Sequence, residues 1–287
     1  MSPGQHGWVK RHQAVIAAVL SSLLVACAAR QPRQTEKSAT RLALARDYLA
    51  RGNFGAAARE ARRALEYDDE NERAHNMLGL VSLLEALRDY RLIEIDGCLT
   101  GDAADELRAE LDQYLLTADE YFARAVAIAP DYGEAWQNRG TTALQLGRLP
   151  EAIRYFTEAL KFPARLENVA LTRANLGWAY FRADDVPRAA KELLQAAQFQ
   201  PGMCLAGYRL GRVYFARKQW EKALAKFREV IDNKTACPIQ EAHLYLMKTY
   251  LELGQKSGLE PLRNTCVALA PQSCVAAACR AEGSTAR

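Results

Sequence analysis

Along most of the chain, apolar residues recur every three to four positions within short segments separated by turn residues. AWQNRGTTALQLGRLPEAIRYFTEALKFP, beginning at Ala135, shows the pattern: two amphipathic stretches meet at Leu-Gly-Arg-Leu-Pro. A 3.6-residue period with one apolar stripe predicts helices, and short connections make consecutive helices antiparallel neighbours. Prolines stand where every second helix is expected to end, at Pro130, Pro163, Pro201, Pro238 and Pro271, because proline cannot continue a helix. The fold class expected is all-α.

The helices repeat as pairs. Leu176-Gly177-x-x-Tyr180 recurs 34 residues later as Leu210-Gly211-x-x-Tyr214, and Ala189 and Ala223 keep the same register. Trp136, Gly140, Ala152, Phe156 and Ala159 fit this frame, as does the stretch around Leu44, Tyr48, Ala57 and Ala64. The frame resembles the tetratricopeptide repeat, a helical hairpin whose small residues let two helices approach while large ones fill the groove. Six repeats over residues 38–272 follow, starting near Ser38, Glu72, Gly133, Ala170, Cys204 and Gln240. In the sixth, Met247 replaces the usual Gly and Cys266 the usual Ala. Residues 273–287 read as a short capping helix and tail.

The second repeat breaks the frame. His75 to Gly79 opens it, but the expected Ala-x-x-x-Phe step comes only at Ala118 and Phe122, about 27 residues late. The insertion, roughly residues 83–117, keeps helical spacing on both sides of Asp-Gly-Cys-Leu-Thr-Gly-Asp. Both helices of this hairpin are therefore expected to be lengthened into a prong with Cys98 at its tip. Asp102 is expected as the N-cap of the returning helix.

Residues 14–26 form an apolar run behind Lys10, Arg11 and His12. A membrane-spanning helix needs roughly 20 residues, so this run reads instead as a signal peptide. Its end, Leu24-Val25-Ala26-Cys27, resembles the lipobox of bacterial lipoproteins. That resemblance implies cleavage after residue 26, lipidation of Cys27, and, with Ala28 rather than Asp behind it, an outer-membrane address facing the periplasm. Several acyl chains on one cysteine hold a protein firmly where one alone does not. Residues 28–37 are polar and are expected to form a flexible tether.

Removing residues 1–27 lowers the formal net charge from +4 to +2, too small for a nucleic-acid footprint. The remaining cysteines are Cys98, Cys204, Cys237, Cys266, Cys274 and Cys279. No Cys-x-x-Cys pair is present and His75 and His243 fall at packing positions, so disulfides in an oxidising compartment are expected rather than a metal site. Cys204 opens the fifth repeat and Cys237 follows its end, so the antiparallel hairpin brings the two together. Cys266 faces the expected cap and can pair with Cys274 or Cys279. Cys98 and the remaining C-terminal cysteine are left without a clear partner.

No nucleophile elbow, phosphate loop or metal-binding helix occurs, so no enzyme activity, small-molecule substrate or cofactor is expected. The surface carries more information. In such solenoids the first helices line the concave face. Leu171, Ala174, Trp178, Phe181 and Arg182 fall there in repeat four, and Leu205, Tyr208, Arg212, Phe215 and Ala216 in repeat five. Trp178, Phe181, Arg182, Tyr208, Arg212 and Phe215 are expected to form a partner-binding groove, since aromatics with arginine are typical anchors. A Lys/Asn clamp for a C-terminal carboxylate is not evident.

The layout of Leu-Val-Ala-Cys at 24–27, short tether and six repeats ending near residue 272 resembles the pilotins of type IV pilus machines, the PilF/PilW/Tgl proteins. The prong and the C-terminal cysteines depart from that pattern. The resemblance implies a non-enzymatic factor that binds secretin monomers and promotes their outer-membrane insertion and oligomerisation. Two other scaffold roles fit the same reading: outer-membrane β-barrel assembly, and an adaptor that docks peptidoglycan enzymes.

Overall fold

The structure, a computed structural model, describes residues 33–232 and 237–282. Cys27 and the apolar run before it lie outside the described residues. Thirteen α-helices and no strand are present among the described residues. They pair as α1 (Thr35–Ala50) with α2 (Phe54–Tyr67), and α3 (Glu72–Tyr90) with α4 (Asp102–Ile128). Next come α5 (Gly133–Gln145) with α6 (Leu149–Ala159), α7 (Val169–Arg182) with α8 (Val186–Phe199), and α9 (Cys204–Ala216) with α10 (Trp220–Asp232). Helices α11 (Gln240–Glu252) and α12 (Leu259–Leu269) complete the sixth pair, and α13 (Cys274–Ala281) follows alone. Successive first helices touch one another, while successive second helices do not approach to the same degree. First helices therefore form the inner wall of a solenoid.

One contact recurs inside the pairs. A Cβ added at Gly140 would stand 2.7 Å from the Phe156 ring, and one at Gly211 2.6 Å from Phe227. Gly177 meets Leu193 in the same way. In repeat two Gly79 meets Phe122, so the insertion lies wholly between the two partners and leaves their packing intact. Each ring is fully buried against the bare backbone of the opposite helix. Repeat one solves the problem with Ala45 and Ala61, both at 0% exposure. In repeat six the frame puts Met247 opposite Arg263; Met247 is buried and Arg263 instead donates to the carbonyl of Glu282 beyond the cap.

The turn inside each pair is equally regular. Gly52, Gly147, Asp184, Lys218 and Gly254 occupy the same place in five repeats, and all have left-handed φ between 56° and 73°. The next helix then starts behind a side-chain cap in two pairs, with Asn53 accepting from Ala56 N–H and Asp185 from Arg188 N–H. In repeat two the corresponding residue is Ala86, which sits inside α3 with 1% exposure. Without a terminator the helix runs on to Tyr90 and through a π-helical turn, Arg91–Asp96, before the chain reverses. That is the prong.

Two local expectations are corrected. Helix α1 begins at Thr35, inside the stretch expected as a tether. Its start is held by Gln34 N–H donating to Tyr67 O at 3.0 Å and by Arg33 pairing with Asp68 and Glu70. Asp102 is the first residue of α4 rather than its cap; Gly101, at φ 72°, precedes it. There its carboxylate faces the positive end of the helix dipole.

The six described cysteines form three disulfides. Cys204 pairs with Cys237 and Cys266 with Cys279. Cys98, which the sequence leaves without a partner, pairs with Cys274. The superhelix carries the cap back to the prong: the π-helical turn contacts α13, and Tyr90, Arg91 and Ile95 face Pro238, Gln240 and Val275 across a crevice. Beneath it, buried Gln240 donates to Cys266 O at 2.6 Å and accepts from Ser273 Oγ at 2.7 Å. The prong is thus a strut tied to the far end of the solenoid.

Candidate functional site

The inner wall has two characters. Around repeats two and three it is polar. Arg46, Arg73, Asn76, Tyr132, Glu134, Arg165 and Glu167 line one pocket, where Asn138 donates to Asn76 at 3.1 Å. Burial raises the Glu134 carboxyl above the usual carboxylate range, and Glu167 nearby adds to the shift.

From repeat four onward the wall is aromatic. Trp178 and Phe181, one turn apart on α7, stack with centroids 5.1 Å apart. Phe215 on α9 meets Trp220 at 5.0 Å and Tyr245 of α11 at 5.4 Å, both edge-on. Arg212 lies between these groups. Its guanidinium is 3.8 Å from the Tyr245 centroid, 5.5 Å from Trp178 and 5.8 Å from Phe181, and it donates to the Tyr208 hydroxyl at 2.8 Å. A cation over a ring face is attracted by the ring quadrupole, more so where water is scarce. Arg209, one turn earlier, lies 5.4 Å from the Trp178 ring and donates to Asn175 Oδ1 at 2.8 Å.

The expected groove residues are therefore brought together, with differences. Trp178, Phe181, Arg212 and Phe215 remain partly open. Tyr208 is only 7% exposed; its ring packs on Phe227 and only its hydroxyl is used by Arg212, so it forms floor rather than contact surface. Burial pushes its phenol up to about 12. Arg182 sits at the exposed edge and donates to the carbonyl of Leu144 in the preceding repeat at 2.9 Å. Sequence reasoning missed Arg209 and Tyr245. Both stand two positions before the helix-contact residue of their repeat, Gly211 and Met247. That inner-wall row also contains Asn138 and Asn175, and it was the available signal.

No group of three or more metal-binding side chains occurs among the described residues. His243 is buried and its imidazole is held below its ordinary range by loss of hydration. None of the described helices is long and apolar enough to cross a membrane.

Comparisons with known proteins agree with this geometry. Tetratricopeptide-repeat family models match residues 42–89 and 133–162. Human tetratricopeptide repeat protein 13 is 26% identical over 111 residues, which are 39% of this chain and 12% of that protein. The chain spans no more than a fifth of the length of the curated relatives it matches. Among solved structures, PilW, described as a widely conserved type IV pilus biogenesis factor, superposes with TM-score 0.63 at 22% identity, covering 84% of this chain and 96% of PilW. Pseudomonas aeruginosa PilF superposes with TM-score 0.63 at 18% identity, covering 86% and 98%. At these identities the likeness is one of fold. The chain is an all-helical solenoid of tetratricopeptide repeats.

Proposed function

We propose that this protein is a non-enzymatic assembly factor of the pilotin type. In this reading it is lipid-anchored through Cys27 at the inner leaflet of the outer membrane, and it receives secretin monomers destined for a type IV pilus machine. Tetratricopeptide repeats act as protein-interaction modules, and the observation that carries the reading is the aromatic–arginine stretch of inner wall. Trp178, Phe181 and Phe215 leave apolar ring surface open around Arg212, the composition of an interface anchor. The pilus setting is taken from PilW and PilF, pilus-biogenesis proteins that share this fold over nearly their whole length, at 22% and 18% identity. Anchoring adds effective concentration, because client and groove are confined to one surface.

The test is a blot for heat-stable secretin multimers in cells lacking the gene, complemented with wild type, Cys27→Ala, or Trp178→Ala/Phe215→Ala. Monomers are expected to accumulate in the null strain and with the groove variant, whose helicity stays unchanged. Normal multimers in the null strain would sink the assignment and bring barrel assembly or cell-wall adaptor roles forward.

A further inference from the structure

Two arginines on the inner wall lack something their neighbours have. Arg139 and Arg173 each hold a carboxylate, Asp119 at 2.8 Å and Glu192 at 2.6 Å. Arg209 and Arg212 form no ion pair with any carboxylate among the described residues. Their polar contacts are neutral: an amide oxygen for Arg209 and a phenol for Arg212. Both guanidiniums lie within 5.5 Å of one indole, that of Trp178, so two like charges share one aromatic surface. Arg182, at the rim, spends one donor on a backbone carbonyl and also has no carboxylate. Glu241 is close enough to raise the Tyr208 phenol further, yet pairs with none of the three.

Placing a charge among protein atoms costs free energy unless an opposite charge and hydrogen bonds replace the lost water. Arg209 keeps a window to solvent but is otherwise walled in, and its guanidinium is pulled down to about 9 by that loss of hydration. A guanidinium has five donors, and the structure uses few of these. We propose that the Arg209–Arg212 pair beside Trp178 seats an acidic side chain of a bound partner, so that the groove selects segments carrying Asp or Glu beside large apolar residues. This deepens the groove reading above and rests on it.

The surroundings of the two arginines favour a peptide over other anions. Open faces of Trp178, Phe181 and Phe215 flank the arginines, and apolar side chains next to the acid would cover them. A nucleic acid or anionic membrane would call for a broad basic surface, and the chain's net charge is only +4 over 287 residues. A carboxylate in the seat forms charge-assisted hydrogen bonds, roughly twice as strong as neutral ones.

The experiment pans a random 12-residue peptide library on the purified chain. Enriched peptides are then synthesised with fluorescein in two forms, native and with every Asp or Glu changed to Asn or Gln. Expected are sequences with Asp or Glu next to Leu, Phe or Trp, and a tenfold or greater loss of affinity for the amide forms. Arg209→Gln and Arg212→Gln should weaken the acidic peptide by a similar factor and leave the amide peptide unchanged. The peptide comparison needs no protein variant, so it decides the matter even if a variant folds poorly. Neutral peptides that depend on Trp178 and Phe215 but ignore the arginines would overturn the acidic seat and leave the groove standing. Peptides indifferent to Trp178→Ala/Phe215→Ala, or no enriched peptides at all, would overturn both. Binding of phosphatidylglycerol vesicles or an oligonucleotide that Arg209→Gln abolishes, with no acidic peptide enriched, would overturn it in favour of a phosphate ligand.

Discussion

Cys98 and Cys274 are separated by 176 positions in sequence, yet their Cα atoms lie 4.7 Å apart and their sulfurs are bonded. The bond joins the tip of the repeat-two prong to the first residue of the C-terminal cap. Everything between them, including the aromatic stretch of inner wall, is enclosed in one covalent loop. A solenoid whose repeats touch only their neighbours is compliant along its length. A strut between repeat two and the cap removes that compliance and fixes the curvature on which the groove's shape depends. Preorganisation of this kind lowers the cost of binding.

Removal of this disulfide should be felt at its two ends. Cys98→Ser/Cys274→Ser is expected to lose about 2–5 kcal/mol of stability, as cross-links that restrict a long unfolded loop do. Amide exchange should quicken in residues 90–101 and in α13, while the packed pair α7–α8 stays protected. Unchanged melting and unchanged exchange at the prong tip would show that the strut is held by packing alone.

Gly211 has no room for a side chain. Its Cβ would stand 2.6 Å from the Phe227 ring, which is itself fully buried. Gly211→Ala should therefore cost about 1–3 kcal/mol, the usual penalty for overpacking. Gly55→Ala is the matched control. Its Cβ would have only the Arg59 guanidinium nearby, at 3.7 Å, and alanine favours a helix more than glycine does, so stability should hold or rise. Urea titrations of both variants check the sign. A loss at Gly55 equal to that at Gly211 would mean that contact with the ring is not what matters.

These contacts explain why the repeats could be read in sequence. Gly140 with Phe156, and Gly211 with Phe227, are local pairs at a constant spacing of 16 residues, so periodicity alone reveals them. The prong was legible for the same reason: Gly79 and Phe122 remain partners, and only their separation grew. What periodicity does not carry is how far the superhelix turns over several repeats. The Cys98–Cys274 pairing depends on that accumulated rotation, as does the approach of Tyr90 to Gln240 and Glu241. The groove was legible row by row, but Arg209 and Tyr245 stand two positions before the helix contact, in a row outside those taken for the concave face. The early start of α1 depends on contacts of Arg33 and Gln34 with the end of α2, which no pattern within residues 28–37 encodes.

Lys218 holds the turn position that glycine fills in other repeats, at φ 56°. A residue with a Cβ pays roughly 1–2 kcal/mol in the left-handed region, and glycine does not. Lys218→Gly should accordingly stabilise the protein by about 0.5–1 kcal/mol, the gain being reduced by glycine's greater freedom when unfolded. The urea midpoint should rise with an unchanged slope. A fall would mean that the Lys218 side chain makes up for its backbone strain.

Acid should weaken the fold through its histidines. Burial lowers the imidazoles of His75 and His243 below their ordinary range near 6.5. In the unfolded chain each takes up a proton as pH falls through that ordinary value, while in the fold each resists until its lowered value is reached. The unfolded state thus binds more protons between the two, and stability drops with falling pH across that window. Above about 7 both states are neutral and the contribution is flat. The melting temperature should therefore decline from pH 7 towards pH 5, and a variant with both histidines replaced by Asn or Gln should show a shallower decline. Equal slopes would mean that groups other than these two histidines set the decline; Glu134, whose carboxyl is raised by burial, acts in the opposite direction.

Arg209 is where stability and binding should part. Its charge has no acid to offset burial, and replacing an uncompensated buried charge with an apolar chain of similar length is often neutral or stabilising. Arg209→Met keeps the stem that lies along Trp178 but takes a donor from the amide oxygen of Asn175, itself only 8% exposed, which offsets part of that gain. Stability is expected to hold or to rise by up to about 1 kcal/mol, while affinity for an acidic peptide falls tenfold or more. A residue kept for folding gives the opposite result, with both quantities falling together. Thermal melts of Arg209→Met set beside peptide titrations separate the two, because only a residue held for a ligand loses binding without losing the fold.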